Sequence, residues 1–184
     1  MTAAVQIPEA ICHLRPVSIV DEAFLLELYA QTRTEELAQS GLDVLQREVF
    51  VQMQFRARQI SYQTVYPLAT DEIICTSVGV PVGRVLVDRK QDGMRLIDIE
   101  IMTEWRRQGF GTQVIRELQH ECAARDGEMG LQVLKGSPAE RLYRRLGFKV
   151  AGEDPLRRQM VWDRTRVRKA HGMVCGLRER LCRR

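Results

Sequence analysis

The chain has 184 residues, 45% of them apolar and 28% charged, with a formal net charge of +4. That is enough sequence for one domain that buries its own core without disulfides or a structural metal. Aromatic residues make up only 6%, which argues against a nucleic-acid stacking platform, and no stretch is apolar for long enough to span a bilayer.

The charge is unevenly placed. Residues 163–184 hold eight basic and two acidic side chains, whereas residues 1–162 hold 20 basic and 22 acidic ones. The positive balance therefore belongs to a C-terminal tail, which reads as a solvated extension or as a contact for acidic partners, nucleic acid or anionic lipid. The five cysteines, Cys12, Cys75, Cys122, Cys175 and Cys182, are odd in number and none is spaced CxxC. This argues against a disulfide framework or a zinc site and suits a reducing cytosol. His13, His120 and His171 are scattered without metal-ligand spacing. No basic residue precedes Arg15 and there is no apolar leader core, so a signal peptide is not expected.

In chain order, residues 1–10 read as a disordered lead-in. Ile11 to Arg15 predict a short strand stopped by Pro16. Ser18 to Asp21 offer N-caps, and Phe24, Leu25, Leu28 and Leu37 recur at helical spacing until Gly41. Asp43 caps a second helix, in which Val44, Leu45, Val49, Met53, Phe55 and Ile60 predict one apolar face; Pro67 closes it. The period then changes. Glu72 to Val78 and Val82 to Asp88 read as a hairpin around Gly79-Val80-Pro81, and Asp92-Gly93 makes another turn. Arg95 to Met102 is the clearest strand, with Ile97, Ile99 and Ile101 on one face and Asp98 and Glu100 on the other. Thr112 to Arg125 predicts a helix ended by Gly127, and Met129 to Leu134 a strand. Pro138 opens a helix running to Leu146, which Gly147 stops. Phe148 to Ala151 and Arg157 to Trp162 supply two closing strands. This order predicts a mixed α/β layer fold with a central sheet.

The chemically informative unit is strand, turn, helix. Arg95–Met102 leads into Arg106-Arg107-Gln108-Gly109-Phe110-Gly111 and then into the helix from Thr112. Gly109 and Gly111 let backbone N–H groups approach a ligand, and the helix start adds unpaired N–H groups and its positive dipole end. Together they suit a phosphate, with Arg106 and Arg107 at the rim. The P-loop pattern is absent, and the dinucleotide pattern GxGxxG fails at Val114. Taken alone, Gly-Phe-Gly reads equally well as a plain tight turn.

From Leu96 to Phe148 the chain resembles the GNAT superfamily of acetyl-CoA-dependent N-acetyltransferases. Arg106…Gly109-Phe110-Gly111 follows that family's [Q/R]-x-x-G-x-[G/A] pattern. Ala139-Glu140-Arg141-Leu142-Tyr143-Arg144-Arg145-Leu146-Gly147-Phe148 follows its Ala-x-x-x-Tyr-x-x-x-Gly-Phe pattern. The element order of residues 11–162 agrees. The resemblance implies a GNAT-like mixed sheet of about six to seven strands flanked by about four helices. It implies that acetyl-CoA is the acyl donor and that the acceptor is an amine of a small molecule or a protein; the cysteine and histidine spacing points to no metal. The strand holding Ile99, Glu100 and Ile101 would splay from its neighbour and bond the pantetheine arm and the thioester carbonyl. Arg106, Arg107, Gln108, Gly109, Phe110, Gly111 and Thr112 would hold the pyrophosphate. Tyr143 would sit near the thioester sulfur, and the helix Pro138–Leu146 would flank the pantetheine. Edge strands in this fold often pair between subunits, so a homodimer is among the expectations.

Two positions depart from the family pattern. Gly136 stands where asparagine is frequent, so that contact to the pantetheine is lost or passes to Ser137. Thr103 stands where proline is common.

Acetyl transfer requires a neutral amine, and an alkyl amine has a pKa of about 10.4, so a group must accept its proton. Asp98 and Glu100 are the candidate bases; the alternative is a salt bridge to Arg84, Arg95 or another arginine. A phenol suits protonation of the leaving thiolate, which makes Tyr143 the candidate general acid, the alternative being a core tyrosine with a satisfied hydroxyl. Glu35 and Glu36 fall where this family shapes its acceptor pocket, or on a solvated helix face. Two other readings stay open: a non-catalytic acyl-CoA-binding or protein-interaction module on the same fold, and a nucleic-acid-associated protein acting through its tail.

Overall fold

The computed structural model describes residues 12–91 and 93–163. The expectations for residues 1–10, Ile11, Asp92 and the tail beyond Asp163, including His171, Cys175 and Cys182, lie outside the described residues. The chain divides into two compact units. One is built from the chain up to Arg89 with Leu96–Ile115, the other from Lys90–Arg95 with the chain from Arg116 onward.

The first unit holds β1 (Cys12–Pro16), α1 (Glu22–Thr32), α2 (Thr34–Gln39), α3 (Val44–Val65), β2 (Thr70–Thr76), β3 (Pro81–Lys90) and most of β4 (Gly93–Ile101). Its strands lie in the order β1-β2-β3-β4. β1 runs antiparallel to β2 with Cys12 opposite Thr76, and β2 antiparallel to β3 with Ile73 opposite Arg84. α4 (Phe110–Ala124) begins in this unit and ends in the second, which also holds β5 (Glu128–Leu134), α5 (Pro138–Arg145), β6 (Lys149–Glu153) and β7 (Arg157–Asp163). There β7 lies between β5 and β6, antiparallel to both. The fold class is the mixed α/β one that the element order predicts. Among the described residues no helix is long and apolar enough to cross a membrane.

Among the described residues five α-helices form, because the first of the four or so expected is broken in two. Arg33 leaves the helical region, at φ −110° and ψ 3°, and separates α1 from α2. The threonines on either side bond backwards to the chain: Thr32 Oγ1 to the Tyr29 carbonyl at 2.7 Å and Thr34 Oγ1 to the Gln31 carbonyl at 3.2 Å. Such hydroxyls compete with the helical backbone ladder.

The apolar face predicted for α3 is a correction. Of its members only Phe55 is buried; Val44, Leu45, Val49, Met53 and Ile60 are all at least 60% exposed. The helix instead turns Val51 and Phe55 inward, where they join Leu25, Tyr29, Ile73 and Cys75 in one core cluster. Val51 and Phe55 are one turn apart, and the next inward positions along that face are Arg58 and Tyr62. Polar side chains complete the seat of this helix.

β3 approaches β4 very closely at Gly83. A Cβ there would stand 2.3 Å from the Glu100 carbonyl oxygen and 2.8 Å from Ile101 Cδ1. Backbone cannot yield as a flexible side chain does, so Gly83→Ala is expected to cost about 3 kcal/mol or more. Urea unfolding of that variant checks this; an unchanged midpoint would mean the two strands are not held this closely.

Candidate active site

The two acids of β4 lie on the sheet face that α3 covers. Arg58 of α3 grips Glu100 with both guanidinium nitrogens, Nη1 to Oε1 at 2.8 Å and Nη2 to Oε2 at 2.9 Å. The same Nη1 reaches Asp98 Oδ2 at 3.3 Å, and the Tyr62 hydroxyl donates to that oxygen at 3.0 Å. Arg58 is thus an ion-pair partner of both acids, the other arginine that the salt-bridge alternative allowed, while Arg84 pairs with Asp71. Burial lifts the Asp98 carboxyl to about 6, and the neighbouring Glu100 charge adds to the rise; Arg58, the Tyr62 bond and Arg84 act in the opposite direction. Burial, reinforced by the Asp98 charge, also raises the Tyr62 phenol, so at neutral pH it is a hydrogen-bond donor. For Arg58, burial alone would lower the pKa, but Glu100 and Asp98 outweigh it and leave the guanidinium firmly charged.

Arg84 lies under the same helix, on β3, with 2% of its surface exposed. Its Nε and Nη2 bond Asp71 at 2.7 and 2.6 Å, and Nη2 also bonds Gln59 Oε1 at 2.9 Å. Guanidinium groups and phenol rings alternate through this layer. Arg33 and Arg58 lie over the Tyr29 ring, and Arg58 and Arg84 over the Tyr62 ring, at 4.3–5.8 Å from the ring centres. Such contacts are attractive because the ring face is electron-rich.

The turn that follows β4 has the features of an anion site. Arg107 and Gly109 adopt positive φ, 60° and 99°. From Arg107 to Thr112 no backbone N–H has a hydrogen-bond partner among the described residues. A Cβ added at Gly111 would meet no atom within 4 Å, so the space over the helix start is open. Side chains hold the turn from beneath. Arg106 Nε bonds the Ile101 carbonyl at 2.9 Å, Gln108 Nε2 bonds the Glu104 carbonyl at 2.8 Å, and Phe110 is buried edge-on against Trp105. Phe110 therefore anchors the turn through its buried ring. Thr103, at the proline position of the family pattern, donates its N–H to Gln31 Oε1 at 2.8 Å and ties the strand end to α1; proline would lack that donor.

In the second unit, Tyr143 is buried on α5, with its ring edge-on to Phe148 at 5.6 Å. α5 starts at Pro138 behind the N-cap Ser137, whose Oγ accepts the Glu140 N–H at 3.3 Å. Gly136 takes φ +75°, and its N–H donates to the buried Glu140 carboxylate at 2.7 Å. That bond, with Arg144 and Arg158 alongside, holds the Glu140 carboxyl down at about 2. Glu140 was not among the expected site residues, although Ser-x-x-Glu at a helix start is a legible capping signal.

Ile99, Ile101, Asp98 and Glu100 thus share one strand with the turn Arg106–Thr112 directly after it, all in the first unit. Tyr143 belongs to the second. The side chains of Glu35 and Glu36 lie outside what the structure describes. Arg58, Tyr62 and Gln59 complete the acid site and are not singled out by the sequence; Arg84, expected from sequence as a possible partner of these acids, pairs with Asp71.

The model of the GNAT acetyltransferase domain matches residues 33–163. Solved structures share the fold at low identity. The PaiA N-acetyltransferase of Thermoplasma acidophilum, in complex with coenzyme A, is 15% identical with a TM-score of 0.61, covering 83% of this chain and 99% of its own. An acetyltransferase of Thermus thermophilus is 18% identical with a TM-score of 0.58, covering 84% and 99%. A histone acetyltransferase HPA2 and related acetyltransferase of Corynebacterium glutamicum is 17% identical with a TM-score of 0.58, covering 82% and 94%. No curated protein matches the sequence. With the domain model matched over well more than half of its length, the chain belongs to the GNAT acetyltransferase family.

Proposed function

We propose that this protein transfers an acetyl group from acetyl-CoA to an amine, directly, within a ternary complex. Acyl transfer in general follows from the family; the acetyl donor and the amine acceptor are the finer part of this reading. The observation that carries it is the run of unpartnered N–H groups from Arg107 to Thr112. Consecutive N–H groups at a helix start favour an anion with several oxygens, such as a pyrophosphate. The open space at Gly111 and the exposed Arg107 suit the same ligand, and PaiA was crystallised with coenzyme A. Ile99 and Ile101 are the proposed backbone contacts to the pantetheine.

Bound acetyl-CoA supplies an activated thioester. The chain's own residues supply the proton traffic. Asp98 and Glu100 are the carboxylates proposed to take the proton from the acceptor's ammonium, which frees the nitrogen lone pair. The Tyr143 hydroxyl is the proposed proton donor to the leaving sulfur.

Acetyl-CoA and free CoA are expected to raise the thermal midpoint, by about 2.7 kcal/mol of stabilisation at a hundredfold excess over Kd, and ATP is not. In Gly109→Val, where a branched side chain meets a φ of 99°, the CoA-induced shift should shrink. No shift at millimolar acetyl-CoA in the unaltered protein would reduce the loop to a structural turn. In an amine screen read by thiol release, Tyr143→Phe should lose about 10²-fold or more in rate and keep its CoA-induced shift. A non-catalytic module would show no difference between the two proteins. The Asp98 carboxyl is raised in the folded state to about 6, so its protonated form favours the fold. Its contribution is complete below the ordinary aspartate value of about 4 and is lost as pH rises through about 6. Asp98→Asn should therefore gain stability relative to the unaltered protein between pH 4 and 7, by about 2 kcal/mol; an advantage that does not change with pH would contradict the raised titration.

A further inference from the structure

We propose that Asp98, and not Glu100, is the carboxylate that takes the acceptor's proton, and that Arg58 is the positioning residue that makes it so by locking Glu100 into a two-point ion pair. The inference rests on the transferase reading above and selects between its two acids.

Geometry separates them. Both Glu100 oxygens accept a guanidinium N–H, at 2.8 and 2.9 Å, and the side chain is 9% exposed. A fork-to-fork pair of this kind is the strongest and most directional of ordinary ion pairs. Asp98 is 22% exposed. Its Oδ2 takes the longer 3.3 Å contact from Arg58 and the Tyr62 hydroxyl. Its Oδ1 accepts no hydrogen bond among the described residues and is not among the buried atoms lacking a partner. One oxygen of Asp98 is therefore free of hydrogen bonds among the described residues and reached by solvent, whereas both oxygens of Glu100 are already engaged by Arg58.

Charge separates them again. From α3, Arg58 and Tyr62 face Asp98; from β4, Glu100; from β3, Arg84, which is already paired with Asp71 of β2. Arg58 also lies over the Tyr29 ring of α1, as does Arg33. Arg84 answers Asp71 and Arg58 grips Glu100 with two nitrogens, which leaves Asp98 only the longer, shared contact to Arg58 Nη1. Neighbouring carboxylates raise each other's proton affinity, as Glu100 does for Asp98. Arg58 holds Glu100 in its ion pair, and Asp98 is left with the proton affinity of about 6 that neutral-pH base chemistry needs. In the step itself the ammonium N–H bond breaks, an O–H bond forms on Asp98, and the nitrogen keeps the electron pair.

The test is a carboxyl carbon-13 NMR titration of the full chain, which needs no acceptor, with thermal melts in CoA run beside it. The expected result is one carboxyl titrating near pH 6 that vanishes in Asp98→Asn and persists in Glu100→Gln. Arg58→Gln should move that titration up by about one pH unit, because the guanidinium charge opposes protonation and Glu100 is released. Arg58→Lys, which restores charge without the fork, should fall between. A near-neutral titration that survives Asp98→Asn and vanishes in Glu100→Gln overturns the assignment, as does the absence of any carboxyl titrating between pH 5 and 7. A titration that moves in neither Arg58 variant overturns the role of Arg58. If Arg58→Gln does not fold, Arg58→Lys alone decides this point. Loss of the CoA-induced shift in the unaltered protein would instead remove the transferase reading, and this proposal with it.

Discussion

A guanidinium shut away from water has to be met by charge and by hydrogen bonds, because its desolvation is otherwise prohibitive. Arg84 is that group here. Its bonds to Asp71 and Gln59 join β2, β3 and α3, and the rest of this face follows from them. With Gln59 seated over β3, Arg58 is the residue before it and Tyr62 the residue three after, so both reach β4 and its two acids. Buried ion pairs of this type contribute little net stability, since the Coulomb gain roughly offsets desolvation. What this one provides is arrangement: a helix turned wrongly by one residue would take Arg58 and Tyr62 from Asp98 and Glu100 and Gln59 from Arg84.

The alternation Arg33–Tyr29–Arg58–Tyr62–Arg84 adds to this. Each phenol ring has two guanidinium groups over it, so the hydrocarbon of the aromatic residues fills the layer while the rings answer positive charge. The layer beneath α3 is apolar at one end, around Val51 and Phe55, and ionic at the other, around Arg58 and Tyr62.

That division explains what the sequence shows and what it hides. β4 is legible because a two-residue period puts isoleucines and acids on opposite faces. The turn at Gly109 and the start of α5 at Pro138 are legible because each rests on one residue's backbone preference. The seat of α3 is not, because the periodicity of apolar residues finds only apolar faces. On this helix the longest apolar stripe points outward, and half of the inward face is Arg58, Gln59 and Tyr62. Their purpose appears only when acids 36 to 42 residues away are brought beneath them. The break at Arg33 is hidden for a different reason: Thr32 and Thr34 are tolerable in a helix and interrupt it only through the bonds their hydroxyls make.

The outer end of the turn and the inner acids differ in one more respect. Arg107 is exposed, and a charge in water feels dissolved ions within about 8–10 Å at ordinary ionic strength. Arg58, Glu100 and Arg84 sit where counter-ions do not enter, so their mutual field is screened far less. Ionic strength therefore acts on the two halves of the site unequally. Added salt weakens the long-range pull on an anion approaching the turn, while the field that sets the proton affinity of Asp98 stays nearly constant. Under the proposed function, capture of the anionic donor would therefore respond to salt before the proton affinity of Asp98 did.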